Sequence, residues 1–395
     1  MNSLKYKKIF VIVIDSVGVG ATDDAILYGD EGSNTLEHIA KFSQSFHIPT
    51  LEKLGIGHLV DAERIKAVKN PLAVVTKLKE LSVGKDTLTG HFELMGLKVN
   101  TPFPSFTDTG FPLELIRELE NYSKRKVIGN ISASGTEIIK DLGEEQLKTG
   151  ALIVYTSADS VLQIAANEEV IPLKELFDIC KFARKITIER PEWMVGRIIA
   201  RPFIGQTRDT FKRTTNRHDY AIKPFDKTVL DYLKEANLDV IAIGKINDIF
   251  DGQGITKSFS TKSNQEGMEI TTSWLKRDFT GLVFVNLVDF DALFGHRRDV
   301  NGYARALEAF DKQLNVFIDK MEDDTLLMVV ADHGNDPTYF GTDHTREFVP
   351  LLIYANKIKG QILPPQESFA CVGSTISDNF KIVKPMIGLS LLKYL

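Results

Sequence analysis

The chain has 395 residues, 43% of them hydrophobic and 26% charged, with 28 Gly and 14 Pro. That length exceeds what one core serves, since chains split into domains beyond roughly 250 to 300 residues, and the near-average composition excludes disorder, collagen and coiled coil. A net charge of -5 from 48 basic and 53 acidic residues excludes a general nucleic-acid binder, which needs a basic surface.

At the start, Lys5, Lys7 and Lys8 precede an apolar run, Ile9 to Ile14, that Asp15 ends. The run is shorter than the ~7 to 15 residues of a signal-peptide core, so it reads as a buried strand. Nothing else approaches the ~18 continuous apolar residues of a membrane span. The two cysteines, Cys180 and Cys371, are far apart and lack CxxC spacing. Together these predict a cytoplasmic protein without a disulfide framework or cysteine-bound zinc.

Next comes SVGKDTLTGHFELMGL, in which Gly84 and Gly90 bracket Lys85, Asp86, Thr87, Thr89 and His91 before a helix-like run. A hydroxyl at a helix start suits phosphate, because backbone N–H groups and the helix dipole favour anions there. The competing reading is that Thr87 or Thr89 only caps the helix. Lys79 and Asp86 stand where a P-loop needs Gly and Ser or Thr. Likewise, Asp23 stands where a dinucleotide fingerprint needs its third Gly.

The middle offers strand candidates KVIGN, ALIVYTSA and GRIIARPFIG without Asp/His clusters. From Arg197 to Lys223 there are seven basic residues against two acidic ones, Asp209 and Asp219, a local +5. The expected organisation is an α/β core from residues 1–102 and 221–395, with a smaller α+β cap domain inserted at 103–220. The stretch Thr256 to Gly267 reads as a polar surface loop.

Two further apolar runs, 282–288 and 326–330, are continuous and β-branched, as strands buried on both faces are. With Asn301 to Phe317 patterned as a helix, the order predicts a mostly parallel sheet flanked by helices. Ligands of such sheets gather beyond the carboxyl ends of the strands. The residues found there are Asp15, then Asp289, Asp291 and His296, then Asp332, His333 and His344. DFDALFGHRRDV begins like an EF-hand loop but has Leu293 at its fifth position. Any one of these residues has a bland explanation as a cap, turn former or structural histidine. Three strand ends carrying the same chemistry to one sheet edge do not. Six or seven O and N ligands without thiolate suit two divalent cations such as Mn²⁺, Mg²⁺ or Zn²⁺, the clamp used in phosphoryl transfer.

VIVIDSVGVGATDDA, GKDTLTGHFELMGL, ASGTEI, YTSADSVLQIAA, NRHDYAIKPF, VNLVDFDALFGHRRD and ADHGNDPTYFGTDHTRE together resemble the bacterial phosphopentomutases of the alkaline phosphatase superfamily, from about residue 8 to 350. The resemblance implies an alkaline-phosphatase-like core and an isomerase that interconverts α-D-ribose 1-phosphate and ribose 5-phosphate, and the deoxyribose pair, in nucleoside salvage and breakdown. It implies Thr87, not Thr89, as the phosphorylated residue. One Mn²⁺ would be held by Asp15, Asp332 and His333, the other by Asp291, His296 and His344, with glucose 1,6-bisphosphate or ribose 1,5-bisphosphate as activator. Ser157, Asp159, Arg197, Arg213 and Lys245 would meet the sugar phosphate, in a monomer acting on small molecules, with no nucleic acid or membrane partner. Phe92, Ile131, Ser132 and Thr215 depart from the usual family choices and bear only on the shape of the sugar pocket.

A mutase must move phosphate between two hydroxyls without losing it to water. The inserted domain is therefore expected to close over the site. The alternatives are a phosphomonoesterase or phosphoglycerate mutase of the same superfamily, and a non-catalytic protein whose metals only staple the fold.

Overall fold

The computed structural model describes residues 4–157 and 160–395. These form two compact units, one running up to Thr101 and resuming at Pro224–Leu395, the other Pro102–Lys223.

The first unit opens with β1 (Lys8–Ile14), α1 (Thr35–Phe42), α2 (Pro49–Leu54), β2 (Val74–Leu78) and α3 (Thr87–Leu94). The second unit comprises α4 (Leu113–Ser123), β3 (Val127–Ser132), α5 (Gly135–Thr149), β4 (Leu152–Thr156), β5 (Val161–Asn167), α6 (Leu173–Glu189), β6 (Arg197–Ile204), β7 (Lys212–Arg213) and β8 (His218–Ala221). The chain returns to the first unit with α7 (Val229–Glu235), β9 (Asp239–Ile243), α8 (Ile246–Ile249), β10 (Lys257–Phe259), α9 (Asn264–Trp274) and β11 (Gly281–Leu287). It ends with α10 (Val300–Ile318), β12 (Thr325–Val330), β13 (Val349–Tyr354), β14 (Gln361–Ile362) and α11 (Cys371–Phe380).

In the first unit eight strands pair in the order β10-β9-β11-β1-β12-β13-β2-β14. The pairs up to β12 are parallel, and β13 runs antiparallel to both β12 and β2. Every residue of β1, β11 and β12 is buried, which is why their sequences are apolar without alternation. Each buried Val, Ile or Phe there contributes at most about 1.5 to 3 kcal/mol. α10 buries Tyr303, Leu307, Phe310, Leu314 and Phe317, the stripe that a 3.6-residue period requires. Its N-cap Asp299 accepts from the Gly302 amide at 2.8 Å.

Register brings the predicted residues together. Val13 pairs with Val330, so Asp15 and Asp332, each two residues further on, leave neighbouring parallel strands side by side. β11 flanks β1 on the other side and delivers Asp291 in a π-helical turn, Phe290–Gly295. β9 ends beside β11, with Ile243 opposite Val285, and sends Lys245 to the same edge.

In the second unit the strands order β3-β4-β5-β6-β7, with β8 on β6. One face packs Val154, Leu162, Ile164 and Ile198 against Leu115, Leu119, Leu176 and Ile179 of α4 and α6. The other packs Ile153, Tyr155 and Ala165 against Ile138 and Ile139 of α5.

The reading of Thr256 to Gly267 as a surface loop is corrected. It contains β10, an edge strand whose three residues KSF are too few and too polar to announce themselves. It also contains the start of α9, capped by Ser263, which accepts from the Glu266 amide at 3.2 Å.

Candidate metal centre and active site

Four of the six predicted ligands reach the carboxyl edge on the elements just described, and each carboxylate there has one oxygen engaged by the protein. Asp15 Oδ2 accepts from Asn286 Nδ2 at 2.7 Å, and Asp332 Oδ1 accepts from the Ser16 amide at 3.1 Å. Asp291 Oδ1 accepts from Asn335 Nδ2 at 2.7 Å. The remaining oxygens of the first pair, Asp15 Oδ1 and Asp332 Oδ2, are buried without a hydrogen-bond partner among the described residues. Both approach His333 Nε2, at 3.5 and 3.3 Å.

The histidines follow the same rule. His333 Nδ1 donates to the Gly334 carbonyl at 3.0 Å, His344 Nδ1 to the Lys85 carbonyl at 3.0 Å, and His296 Nδ1 to the Thr342 carbonyl at 2.7 Å. A carbonyl only accepts, so each Nδ1 carries the proton and each Nε2 is a basic nitrogen suited to a metal. His296 Nε2 lies 3.1 Å from Asp291 Oδ2 and 3.2 Å from His344 Nε2. Two imidazole acceptors at that separation repel each other and are reconciled by a cation. The His333 and His344 rings stack with centroids 3.8 Å apart.

Among the described residues two groups satisfy metal-ligand geometry, Asp15 with Asp332 and His333, and Asp291 with His333 and His344. His333 is common to both, and His296 adjoins the second. All six predicted ligands thus fall into one cluster, and its orphaned carboxylate oxygens and Nε2 donors fit divalent cations. Asp289 is not part of it: its carboxylate accepts from the Asn264 amide at 2.7 Å and serves the loop.

The electrostatics agree. Burial, then repulsion from Asp332 and Asp291, raises the Asp15 carboxyl well above the usual range. Burial also opposes ionisation of Asp291 and Asp332, but His344 and His296 hold Asp291 well below its ordinary value, and His333 and His91 lower Asp332. Burial lowers His333, keeping it neutral as a ligand must be. Three crowded carboxylates without countercharge are costly. We therefore expect chelation to lower the melting temperature and Mn²⁺ to restore it, each bound ion stabilising the fold by about 2.7 kcal/mol at a hundredfold excess over its Kd. A melting temperature indifferent to both sinks the two-ion reading.

Backbone features serve this edge. Ser16, directly after Asp15, has φ 69°, a left-handed conformation that costs a non-glycine residue about 1 kcal/mol or more. It is held by its hydroxyl on Tyr303 at 2.7 Å and its carbonyl on the Asn335 amide at 3.1 Å. The Gly334 to Thr345 bridge closes the loop that carries His344. At Gly90 a side chain would strike the Asp332 carbonyl, so only glycine lets α3 pack against the ligand segment.

α3 presents Thr87. Its N-cap Asp86 accepts from the Leu88 and Thr89 amides, each at 3.1 Å, and from Thr89 Oγ1 at 2.5 Å. Thr89 is therefore the buried capping partner. Thr87, half-buried at the first helical position, points Oγ1 at His333 Nε2, 3.2 Å away.

Of the expected substrate residues, Lys245 is half-buried at this edge, and its charge lowers Asp15. Ser157, Arg197 and Arg213 belong to the second unit, and Asp159 lies outside the described residues. Register puts Tyr155, Gln163, Arg197 and Arg201 on the α5 face of their sheet. Ser157 Oγ accepts from Gln163 Nε2 at 3.4 Å, Gln163 Oε1 accepts from Arg201 Nε at 2.9 Å, and the Arg213 guanidinium reaches the start of α5 at Gly135. The structure gathers only part of the basic stretch: Arg201 has Arg217 and Arg213 as neighbours, Arg217 forms a double hydrogen bond with Asp219, at 2.6 Å each, and Arg208 pairs with Asp141. Arg201 was counted in the basic stretch but given no role of its own. Burial and neighbouring arginines pull it down to about 10; its signal was an arginine inside an otherwise apolar strand. Asn286 and Asn335 were missed, and His91 was noted in its motif but given no role.

A mainly parallel sheet with an Asp/His cluster on its carboxyl edge defines an alkaline-phosphatase-like α/β metalloenzyme. The chain belongs to the metalloenzyme superfamily, whose family sequence model matches residues 7–384. Similar solved structures include a Pyrococcus horikoshii protein (13% identity, 96% of this chain and 98% of that one, TM-score 0.49). A Leishmania mexicana phosphoglycerate mutase is similar at 12% identity over 98% and 97%, TM-score 0.46. Among the described residues no helix is long and apolar enough to cross a membrane.

Proposed function

We propose that the protein is a phosphopentomutase that interconverts ribose 1-phosphate and ribose 5-phosphate, and their deoxy counterparts, through a phosphorylated Thr87. The observation that supports it most is Thr87 Oγ1 at the start of α3, 3.2 Å from His333 Nε2 in the ligand cluster, a hydroxyl where a phosphatase acting through water needs none. The pentose rests on the motifs that resemble the phosphopentomutases.

Asp15, Asp332 and His333 would hold one Mn²⁺, and Asp291, His296 and His344 the other; such ions neutralise the transferred group and acidify the attacking hydroxyl. Thr87 gives its phosphoryl group to the sugar phosphate and takes back the other one. The dipole of α3, whose Leu88 and Thr89 amides are already taken by Asp86, favours the anionic group beside Thr87. Arg197, Arg213, Ser157, Asp159 and Lys245 hold the sugar phosphate through these transfers, Arg by two-point contact. Glucose 1,6-bisphosphate or ribose 1,5-bisphosphate supplies the first phosphoryl group, and the reading includes a cytoplasmic monomer.

The test is purified protein with Mn²⁺, ribose 1-phosphate and a trace of glucose 1,6-bisphosphate, following ribose 5-phosphate and inorganic phosphate together. Conversion without phosphate release is expected; phosphate as the main product makes it a phosphatase. Arg213→Ala is expected to lower kcat/KM about tenfold or more with two ions still bound. Unchanged kinetics would remove Arg213 from the substrate contacts.

A further inference from the structure

Two buried side chains that are neither ligands nor nucleophile connect the metal cluster to α3. Asn286 sits inside the apolar run of β11 and His91 one turn after Thr87; they are 1% and 0% exposed. Asn286 Nδ2 donates to Asp15 Oδ2 at 2.7 Å and lies 3.4 Å from His91 Nε2. His91 Nδ1 donates to the Thr87 carbonyl at 2.8 Å and stands 3.2 Å from Asp332 Oδ2.

The hydrogens have one consistent placement. The Thr87 carbonyl can only accept, so His91 carries its proton on Nδ1, and Nε2 is the acceptor facing the Asn286 amide. The Asn286 NH₂ has two hydrogens, one for Asp15 and one for His91. Because the amide takes Asp15 Oδ2, the oxygen that remains is Oδ1, buried without a partner and 3.5 Å from His333 Nε2.

We propose that His91 and Asn286 are a positioning couple for the Asp15–Asp332–His333 ion. Asn286 fixes which oxygen of Asp15 faces the ion, and His91 braces Asn286 and Asp332 against the segment that carries Thr87. This rests on the two-ion reading of the site and not on the identity of the substrate.

The test is calorimetric titration of Mn²⁺ into the metal-stripped full chain without substrate, for the parent, His91→Leu, Asn286→Leu and the double variant. Two ions are expected in the parent. In each single variant one ion should bind at least about tenfold more weakly, the usual effect of losing a partner behind a ligand, while the other stays within about twofold. Since the two side chains act in series, the double variant should be no more than about threefold weaker than the worse single one. Unchanged affinity for both ions overturns the proposal, as does a double variant whose losses multiply in full. Equal loss of both ions with a lowered melting temperature of the metal-free chain overturns it too, by showing a folding role. Should either leucine variant not fold, His91→Asn and Asn286→Ser are titrated by the same criteria. A parent that mutates no sugar phosphate but shows this pattern separates the couple from the proposed reaction.

Discussion

Thr87→Ala is expected to lose at least about a thousandfold in kcat, to show no phosphothreonine by mass spectrometry after incubation with glucose 1,6-bisphosphate, and to keep both Mn²⁺ affinities within a fewfold. Thr87 Oγ1 approaches His333, a predicted ligand, whereas Thr89 Oγ1 is engaged by Asp86 inside the cap. Thr87→Ser, which keeps the oxygen and loses only a methyl, should retain measurable turnover. Thr89→Ala should instead cost about 1 kcal/mol of stability, the worth of a lost hydrogen bond in a cap. Turnover surviving in Thr87→Ala, or phosphate found on Thr89, moves the nucleophile elsewhere.

The second large effect is expected at Arg346, two residues after His344. Its guanidinium is buried and donates to Glu80 Oε2 at 2.6 Å, to the Ser82 and Gly84 carbonyls at 3.0 and 2.6 Å, and to Asp24 Oδ2 at 2.9 Å. The loop leading to Thr87 is thus tied to the segment that carries His344, one of the predicted ligands. Removing one partner of a buried pair strands the other, so Arg346→Ala should cost about 3 to 5 kcal/mol.

The pH dependence has a definite sign. Burial already raises Glu80 well above its ordinary value, against the pull of Arg346. A carboxyl with a raised folded pKa binds more protons folded than unfolded, so its contribution to stability falls as pH climbs from about 4.3. Without Arg346 the folded value rises further. The deficit of Arg346→Ala should therefore be wider at pH 8 than at pH 5, and Glu80→Gln should narrow it at pH 8. Thermal melts at the two pH values decide; equal deficits would mean that Glu80 is not the stranded charge.

The fold was legible where burial on both faces writes an unbroken apolar run. β1, β11 and β12 could be read directly, and the acidic and imidazole residues at their ends followed from the habit of parallel sheets. β10 could not, because an edge strand of three residues has no periodicity to detect. Asn286 interrupts the most apolar of contexts, yet one polar residue in a strand does not say which neighbour it meets. His91 was in view within GHFEL, but a histidine on a helix is common, and its role depends on register between α3 and β12 that only the packing of Gly90 on Asp332 supplies. Arg217 shows the reverse: it counted towards a basic stretch, while Asp219 two residues away engages it.

The central sheet also constrains how this chain is born. β1 lies between β11 and β12, yet those strands are translated more than 260 residues after it. At ribosomal speeds of about 5 to 20 residues per second, this greasy N-terminal ribbon waits on the order of tens of seconds for its neighbours. The segment Pro102–Lys223, contiguous and emerging in the interval, has all its own strands in hand. The contiguous unit can therefore complete its sheet before β1 meets either neighbour, which leaves that apolar strand uncovered in the meantime.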